Sequence, residues 1–354
     1  MPSLAPVQPA ASPVRVAADA AEAEWDSFVE SHPGGTVEHL YGWRDVFARV
    51  FRHDPVYLTA RRGGRLAGVL PLVRIRSLLF GRSVVSLPYA NYAGVVAADG
   101  EAARALMREA AAIGRTFGAS HVELRHVDRH TAELPCRTHK VGSRLPLPST
   151  ADELWNRLDR KVRNQVRKAR KEGLVVESGD ARLVPEFYGV FARNMRDLGT
   201  PVFPRALFDE ALGRLPIDGR VFVVRDGRRA VAAGIWLGWR DTVLVPWASS
   251  LRESRSLCAN VLLYWTMLEA AIQASYALFD FGRSTPDGGT HRFKRQWGAI
   301  DVPLHWEYPL VGTGGVPDHG PTSPRLRVWV AAWQRLPLRL ANAVGPEITR
   351  QLPG

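Results

Sequence analysis

The spacing of hydrophobic positions changes along the chain and predicts alternating helices and strands. Near the start, Trp25, Phe28 and Val29 recur at helix spacing. Two runs rich in β-branched residues then flank the pair Gly63-Gly64, a pattern typical of a hairpin. A further strand, an amphipathic helix and a buried strand follow before a proline-containing stretch. The first half therefore predicts a hairpin–strand–helix–strand module.

The second half repeats this order of elements. A hairpin around Asp226-Gly227 is followed by a strand, an apolar helix and the buried strand 276–282. Several residues keep their places at offsets between 157 and 164 residues: Gly63 with Gly227, Pro88-Tyr89-Ala90 with Pro246-Trp247-Ala248, Ala111-Ala112-Ile113 with Ala270-Ala271-Ile272, and Glu123 with Asp280. The ordered set of matches predicts that the module is duplicated.

The duplication predicts a mixed α/β protein, and 354 residues suit two domains. The module resembles the middle of the GNAT acyltransferase fold, so the expected architecture is two GNAT-like domains in tandem. The predicted parts are a disordered leader (1–13), a first domain (14–148), a second domain that opens with a basic helix (149–311), a linker (312–324) and a C-terminal amphipathic helix (325–354).

Composition narrows the possibilities. A hydrophobic content of 46% and a charged content of 23% are ordinary for a globular protein and exclude wholesale disorder. The two cysteines, Cys136 and Cys258, have neither disulfide-framework nor zinc-knuckle spacing. His126, His130 and His139 near Cys136 lack a second ligand pair, so no metal site is expected.

The sequence has neither a secretory signal nor an apolar run long enough to span a membrane, so we expect a cytoplasmic protein.

A net charge of +12 indicates an anionic partner. Between Arg157 and Lys171 the chain has eight basic residues and one acid, on a helix predicted from Leu154 to Lys171. Closely spaced like charges repel one another unless an anion balances them, although a solvated amphipathic helix is the alternative. The candidate phosphate-binding residues are Lys161, Arg163, Asn164, Arg167 and Lys168.

Several motifs resemble those of the Fem family, which adds amino acids from aminoacyl-tRNA to peptidoglycan precursors. The closer resemblance, over residues 20–310, is to FemAB-like proteins of exosortase (PEP-CTERM) exopolysaccharide loci. The motifs are LPYANYAGV (87–95), LWNRLDRKVRNQVRKARKEGL (154–174), NMRDLGTPVFP (194–204), FDFGRST (279–285) and THRFKRQWGAIDVPLHWEY (290–308). The resemblance implies a tandem GNAT-fold acyl- or aminoacyltransferase.

The segment after the last buried strand holds the main catalytic candidates. Lys294 is expected to stabilise the oxyanion of acyl transfer, and the resemblance implies a lysine near the reacting carbonyl. His291 is a candidate proton acceptor, with an ordinary loop histidine as the alternative. Asp280 is the third catalytic candidate, or else a structural acid paired with Arg283. We expect Lys294 and Arg283 to converge on one pocket.

Further polar residues are candidates for substrate binding. A guanidinium can hold two oxygens of a carboxylate or phosphate, which suits Arg196 at the end of a predicted helix. In GNAT folds the strands on either side of the central helix separate, and residues lining that gap contact the ligand. The substrate-binding candidates besides the basic helix are Asn194, Arg196, Trp247, Asn260, Arg283, Ser284 and Arg292.

These observations predict an enzyme that forms an amide on a phosphorylated, lipid-linked saccharide precursor in envelope or exopolysaccharide assembly. No tightly bound cofactor is expected, and the donor is left open among aminoacyl-tRNA, acyl carrier protein and acyl-CoA. The chain lacks the usual pyrophosphate-binding loop for coenzyme A. The alternatives are an acetyl-CoA-dependent N-acetyltransferase on a nucleotide sugar, and a non-enzymatic adaptor that binds RNA or membrane. The C-terminal helix either packs on the first domain or contacts the inner face of the membrane.

Overall fold

The computed structural model describes residues 12–78, 80–309, 311, 316 and 324–352. Most of the predicted leader and of the predicted linker lie outside these described residues. Two mixed sheets, each covered by helices, make up the structure. The predicted α/β class is confirmed, with two mixed sheets.

The elements of the first half, in chain order, are β1 (Val14–Ala17), α1 (Glu22–Ser31), α2 (Trp43–Phe51), β2 (Asp54–Arg62), β3 (Arg65–Ser77), β4 (Gly81–Val85), β5 (Val96–Ala97), α3 (Gly100–Phe117), β6 (His121–His126), β7 (Cys136–Arg137) and β8 (Val141–Pro146). The second half contains α4 (Ala151–Arg157), α5 (Arg160–Lys171), β9 (Val175–Gly179), α6 (Val184–Leu198), α7 (Ala206–Arg214), β10 (Asp218–Asp226), β11 (Arg229–Trp239), β12 (Thr242–Ser250), α8 (Ala259–Gln273), β13 (Leu278–Ser284), α9 (Gly289–Arg295), β14 (Ile300–Pro303) and β15 (His305–Glu307). Two C-terminal helices follow, α10 (Pro324–Gln334) and α11 (Leu338–Thr349).

The two modules have the same strand pairing. In each, an antiparallel hairpin, β2–β3 or β10–β11, is followed by a strand, a helix and a parallel strand. In the first half β4 pairs in parallel with β6, and Val85 lies opposite Glu123. In the second half β12 pairs in parallel with β13, and Leu244 lies opposite Asp280. The two acids matched by sequence therefore occupy equivalent register positions.

Each half contributes one strand to the sheet of the other half. The first sheet has the order β1-β2-β3-β4-β6-β15-β7, with β5 beside β3, and the second has the order β14-β8-β13-β12-β11-β10-β9. Strand β8 runs antiparallel to β13, whereas β15, from the end of the second half, runs antiparallel to β6. The predicted boundary after residue 148 follows β8, so the two halves are joined by main-chain hydrogen bonds as well as by packing.

Side chains from both halves share one hydrophobic core. It includes Trp43 of α2, Phe187 of α6 and Ile235 of β11. A second core lies on the other face of the second sheet, where Phe279 and Phe281 of β13 pack with α8 and α5. Asp280, between the two phenylalanines, therefore points to the face that the first half covers.

Two helices predicted as continuous are divided in the structure. The predicted helix from Leu154 to Lys171 is interrupted at Leu158, because Asp159 caps a new helix by accepting a hydrogen bond from the Lys161 N–H at 2.7 Å. The C-terminal segment forms α10 and α11, which are separated at Leu336-Pro337 because a residue that precedes proline avoids the helical conformation.

Candidate active site

Strands β12 and β13 pair only at their beginnings. The parallel register covers Thr242–Leu244 and Leu278–Asp280, after which β12 continues beside β11 and β13 continues beside β8. The strand β13 is irregular where the two separate, and Gly282 there has a φ of +71°. Such a φ suits glycine, which has no Cβ. Beyond Asp280, β13 is therefore paired on the side of β8 and not on the side of β12.

Lys294 binds the main chain of β13 just beyond the point where the two strands separate. Its Nζ donates hydrogen bonds to the main-chain carbonyls of Gly282 and Arg283, both at 2.9 Å. The residue is only 3% exposed. Burial lowers the pKa of Lys294 to about 8, Asp280 opposes this shift, and Arg283 adds to it. An ammonium group has three N–H donors, so these two hydrogen bonds leave one.

Asp280 lies on the same strand and is held by three donors. Its Oδ1 accepts hydrogen bonds from the Tyr92 hydroxyl at 2.9 Å and from the Gly282 N–H at 2.7 Å. Its Oδ2 accepts from Arg144 Nε at 2.9 Å. Burial and the nearby Asp280 raise the pKa of Tyr92 well above its usual value, so the tyrosine is a stable donor. The acid therefore pairs with Arg144, and its geometry is fixed from both halves.

A buried acid from the first half positions the segment that reaches this site. Glu38 accepts hydrogen bonds from the Asn91 N–H at 2.7 Å, from Asn91 Nδ2 at 2.9 Å and from the Tyr92 N–H at 2.7 Å. The Asn91 carbonyl Oδ1 in turn accepts from the Arg283 N–H at 3.3 Å. Burial raises the pKa of Glu38 to about 7, although the two main-chain bonds oppose this. Glu38, Asn91, Tyr92 and Arg144 were not singled out from the sequence; only the motif containing Asn91 and Tyr92 gave a signal.

The main-chain carbonyl of Arg283 is bound by Lys294, but the guanidinium of Arg283 contacts the first half. It donates to the Ala90 carbonyl at 2.7 Å and lies 5.2 Å from the Trp306 ring centroid. Arg125 contacts the same two groups, at 3.0 Å and 4.4 Å. Burial and Arg125 lower the pKa of Arg283 to about 10. Lys294 thus contacts the main chain of Arg283, whereas the Arg283 guanidinium holds the interface between the halves. The predicted convergence of the two side chains on one pocket is therefore not found among the described residues.

Both ring nitrogens of His291 contact neighbouring residues. Its Nδ1 accepts a hydrogen bond from the Asp287 N–H at 2.9 Å, and its Nε2 lies 2.8 Å from Asp301 Oδ1. Both ring nitrogens are therefore engaged, and proton acceptance would require breaking one of these bonds. Arg292 on the same helix is exposed and donates to the Asp287 carbonyl at 2.5 Å. Ser284 is buried, and its Oγ has no hydrogen-bond partner among the described residues.

The other predicted binding residues lie at several places around the second half. Asn194 Nδ2 donates to Ser249 Oγ on β12 at 3.0 Å. Arg196 pairs with Asp197 and donates to the Leu336 carbonyl at 2.9 Å, so it anchors the C-terminal helices. Trp247 packs edge-on against Phe208 with a centroid distance of 5.0 Å, and Asn260 lies in the first turn of α8.

The basic residues of α5 form a separate surface. The apolar side of the helix, with Val162, Val166 and Ala169, is buried in the core that α8 shares. Arg167 lies over the Trp155 ring at 5.3 Å and donates to Asn164 at 3.3 Å. Among the described residues, no hydrogen bond or ion pair joins these side chains to Lys294 or Asp280. The remaining predicted members, Lys161, Arg163 and Lys168, lie on this same helix.

A cleft of about 400 Å³ opens between the two halves. Asp280, Arg144 and Tyr92 line it, whereas neither Lys294 nor Arg283 does. His39 and His130 also line it, and burial lowers the pKa of each to about 4, so both are neutral near pH 7. The cleft therefore gives access to Asp280 on the face of the second sheet that α8 does not cover.

Comparisons with known proteins find similar domains and similar structures. Residues 156–295 match a family described as "Acetyltransferase (GNAT) domain". The solved structure of FemX has a TM-score of 0.64 at 17% identity and covers 84% of this chain and 97% of that chain. L-PGS from Bacillus licheniformis has a TM-score of 0.54 at 10% identity, covering 89% and 97%. A tandem GNAT protein from the clavulanic acid biosynthesis pathway has a TM-score of 0.52 at 12% identity, covering 86% and 100%. No curated protein matches the chain significantly in sequence.

These similarities confirm the tandem GNAT fold. The family match falls on the half that contains α5, β13 and α9, which is the half with the predicted catalytic residues. The family match on residues 156–295 agrees with the predicted acyltransferase class, and the likeness to FemX and to the tandem GNAT protein shows a shared fold.

Proposed function

We propose that the chain is an N-acyl- or aminoacyltransferase that forms an amide on a phosphorylated, lipid-linked saccharide precursor in cell-envelope or exopolysaccharide assembly. The reacting centre is the gap between β12 and β13. The observation that carries this proposal is the buried Lys294 ammonium, which the carbonyls of Gly282 and Arg283 hold at that gap. The saccharide and the exopolysaccharide setting are supported by the resemblance of the motifs to FemAB-like proteins.

The proposed reaction is direct acyl transfer. The acceptor amine attacks the donor carbonyl, a C–N bond forms, and the C–O or C–S bond to the donor breaks as the amine proton passes to the leaving group. The remaining N–H of Lys294 stabilises the oxyanion that forms between these steps. No covalent enzyme intermediate is required, because the amine itself is the nucleophile.

In this proposal the saccharide of the acceptor occupies the cleft between the halves, and its amine extends past Asp280 to the gap, because Lys294 does not line the cleft. Its wall includes Asp280, Arg144 and Tyr92, which offer both hydrogen-bond acceptors and donors to a saccharide. Asp280, in the wall of the cleft, accepts a hydrogen bond from the Gly282 N–H, and the carbonyl of Gly282 accepts one from Lys294. The basic surface of α5 binds the phosphate groups of the donor or acceptor, since clustered cations attract phosphate.

The second candidate is an N-acetyltransferase that uses acetyl-CoA and a nucleotide sugar. The family description of residues 156–295 as an acetyltransferase domain favours it. However, the turn before α8 spans Arg252–Leu257, contains no glycine and leads into Cys258, so the usual pyrophosphate loop is missing. Thermal-shift titration separates the two candidates: stabilisation by acetyl-CoA supports the acetyltransferase, and none supports a different donor.

A donor screen tests the main proposal. The protein is incubated with aminoacyl-tRNA, acyl carrier protein loaded with an acyl group, or acetyl-CoA, together with extracted lipid-linked saccharides, and new amides are detected by mass spectrometry. Lys294→Ala should lose product, and Arg295→Ala, an exposed cation on the same helix, should keep it. RNA or vesicle binding without any product from the wild type would instead support the adaptor alternative.

A further inference from the structure

The outer face of α11 is apolar and unpartnered among the described residues. Leu340, Val344 and Ile348 follow one another at four-residue intervals along this face, and the first two are exposed. The opposite face is firmly anchored: Thr349 Oγ donates to the Val202 carbonyl at 3.0 Å, and the Tyr89 hydroxyl donates to the Thr349 carbonyl at 2.6 Å. The exposed stripe is therefore displayed on a rigid helix.

The tip of the β3–β4 hairpin continues this surface. Leu78 is 96% exposed and Phe80 is 56% exposed. The Leu78 N–H donates to Gln351 Oε1 at 2.8 Å, so the tip lies against the end of α11. Residues 78 and 351 are far apart in sequence, and the exposure of the tip is independent of the helical pattern.

Helix α10 adds a third exposed apolar group. Val328 and Trp329 are 70% and 73% exposed. The end of this helix is held to α6, because Gln334 Nε2 donates to the Asp197 carbonyl at 3.2 Å. Helices α10 and α11 both pack on α6. Exposed apolar side chains that are grouped together mark interaction sites, whereas single scattered ones do not.

The charges around this surface identify the partner as an anionic bilayer. Arg335, which follows α10, and Arg339 on α11 are exposed, and Glu347, the one acid among the described side chains of residues 328–352, pairs with Arg350. The hairpin adds Arg76 and Arg82, both exposed and both close to the Phe117 ring. Apolar side chains enter the boundary between headgroups and acyl chains, and arginines attract anionic headgroups.

We propose that α10, α11 and the β3–β4 hairpin tip together form a docking surface for anionic lipid bilayers. No helix among the described residues is long and apolar enough to cross a membrane. Docking is therefore peripheral, through side chains at the interface. The proposal extends the proposed function, since a lipid-linked acceptor lies at such a surface, but lipid binding is measured without turnover and can succeed or fail independently.

Vesicle sedimentation tests the docking surface. The wild type should sediment with vesicles of phosphatidylglycerol and phosphatidylcholine, and less with phosphatidylcholine alone. Leu78→Ser with Phe80→Ser, and separately Trp329→Ser, should each weaken binding by roughly tenfold or more, since each variant removes large apolar side chains from the interface. Ile300→Ser, which removes an apolar side chain of β14 that is 61% exposed, is the matched control and should bind as the wild type does.

Three results would overturn the proposal. The first is no binding of the wild type to either vesicle, and the second is binding that all the hairpin and α10 variants retain. The third comes from light scattering: a wild type that dimerises, with variants that are monomeric and no vesicle binding, would identify a second copy of the chain as the partner. Thermal unfolding of each variant verifies that these surface substitutions leave the fold intact.

Discussion

The Tyr92 hydroxyl, from the first half, donates a hydrogen bond of 2.9 Å to Asp280 in the second half. The reverse relationship also exists: Tyr308, after the last strand of the second half, donates to Glu123 in the first half, also at 2.9 Å. Each acid also pairs with an arginine, Arg144 for Asp280 and Arg125 for Glu123. The duplicated modules are thus joined by two reciprocal tyrosine–carboxylate bonds.

This reciprocity provides a matched pair of substitutions. Tyr92→Phe and Tyr308→Phe each remove one hydroxyl from a buried carboxylate, so each should lower the free energy of unfolding by about 1–3 kcal/mol. Only Tyr92→Phe should also lower turnover, because Asp280 lies beside the gap and Glu123 does not. Urea unfolding and initial rates measure the two effects. Equal losses of turnover in both variants would argue against a site confined to the second half.

Glu38 should make stability depend on pH. The pKa of this carboxyl is raised to about 7 in the folded protein, whereas it is near 4.5 in the unfolded chain. The unfolded state therefore releases the proton more readily, and stability falls as the pH rises from about 4.5 to about 7. The difference in unfolding free energy between the wild type and Glu38→Gln should decrease over this range by about 3 kcal/mol. A difference that does not change with pH would show that Glu38 is ionised throughout.

At Gly282 there is room for the Cβ of an alanine, but the backbone conformation disfavours any residue other than glycine. A Cβ at this position would lie 3.6 Å from the Asn91 side chain and 3.7 Å from the Val245 carbonyl, which are ordinary contacts. The φ of +71° instead imposes a cost of about 1–2 kcal/mol on any residue with a Cβ. Gly282→Ala should therefore lower the midpoint of urea unfolding. If the main chain shifts in response, the carbonyl that accepts from Lys294 moves, and turnover falls as well.

The basic face of α5 should control binding of phosphate-bearing ligands. Replacing Lys161, Arg167 and Lys168 by alanine should weaken binding of tRNA or of a diphosphate-linked saccharide by roughly tenfold and reduce its dependence on salt. Arg205→Ala, which removes an exposed cation at α7, is the control. Fluorescence anisotropy at several salt concentrations measures both effects. Unchanged affinity in the triple variant would assign α5 to a solvated surface.

Much of the fold follows from local sequence patterns. Each hairpin is predicted by a turn glycine, Gly63 or Gly227, between two strand-like segments. The repeat of this pattern predicts the duplication. The exchange of β8 and β15 between the sheets has no local signal, since it depends on pairing between distant strands. The sequence therefore predicts two modules but not how they are joined.

The candidate site was predictable only in part. The sequence indicates Arg283 and Lys294 because they follow the predicted buried strand 276–282, and Asp280 because it lies between two phenylalanines on that strand. Their partners are not indicated, because Glu38 and Arg144 lie 53 and 136 residues from the groups they bind. The sequence predicts that Lys294 stabilises an oxyanion, and it does not predict the two main-chain hydrogen bonds of Lys294, because these depend on how α9 packs on β13.

The central claim is that Lys294 stabilises charge during acyl transfer, and turnover measured against pH tests it most directly. With the donor and acceptor from the screen at saturation, Lys294→Ala should lower kcat by about 100-fold or more while the Kd of the acceptor changes little. In the wild type, kcat should decline above about pH 8 as the ammonium, whose pKa is lowered to about 8, loses its proton. If kcat of Lys294→Ala equals that of Arg295→Ala at every pH, Lys294 serves only to hold the β13 main chain, and the claim is contradicted.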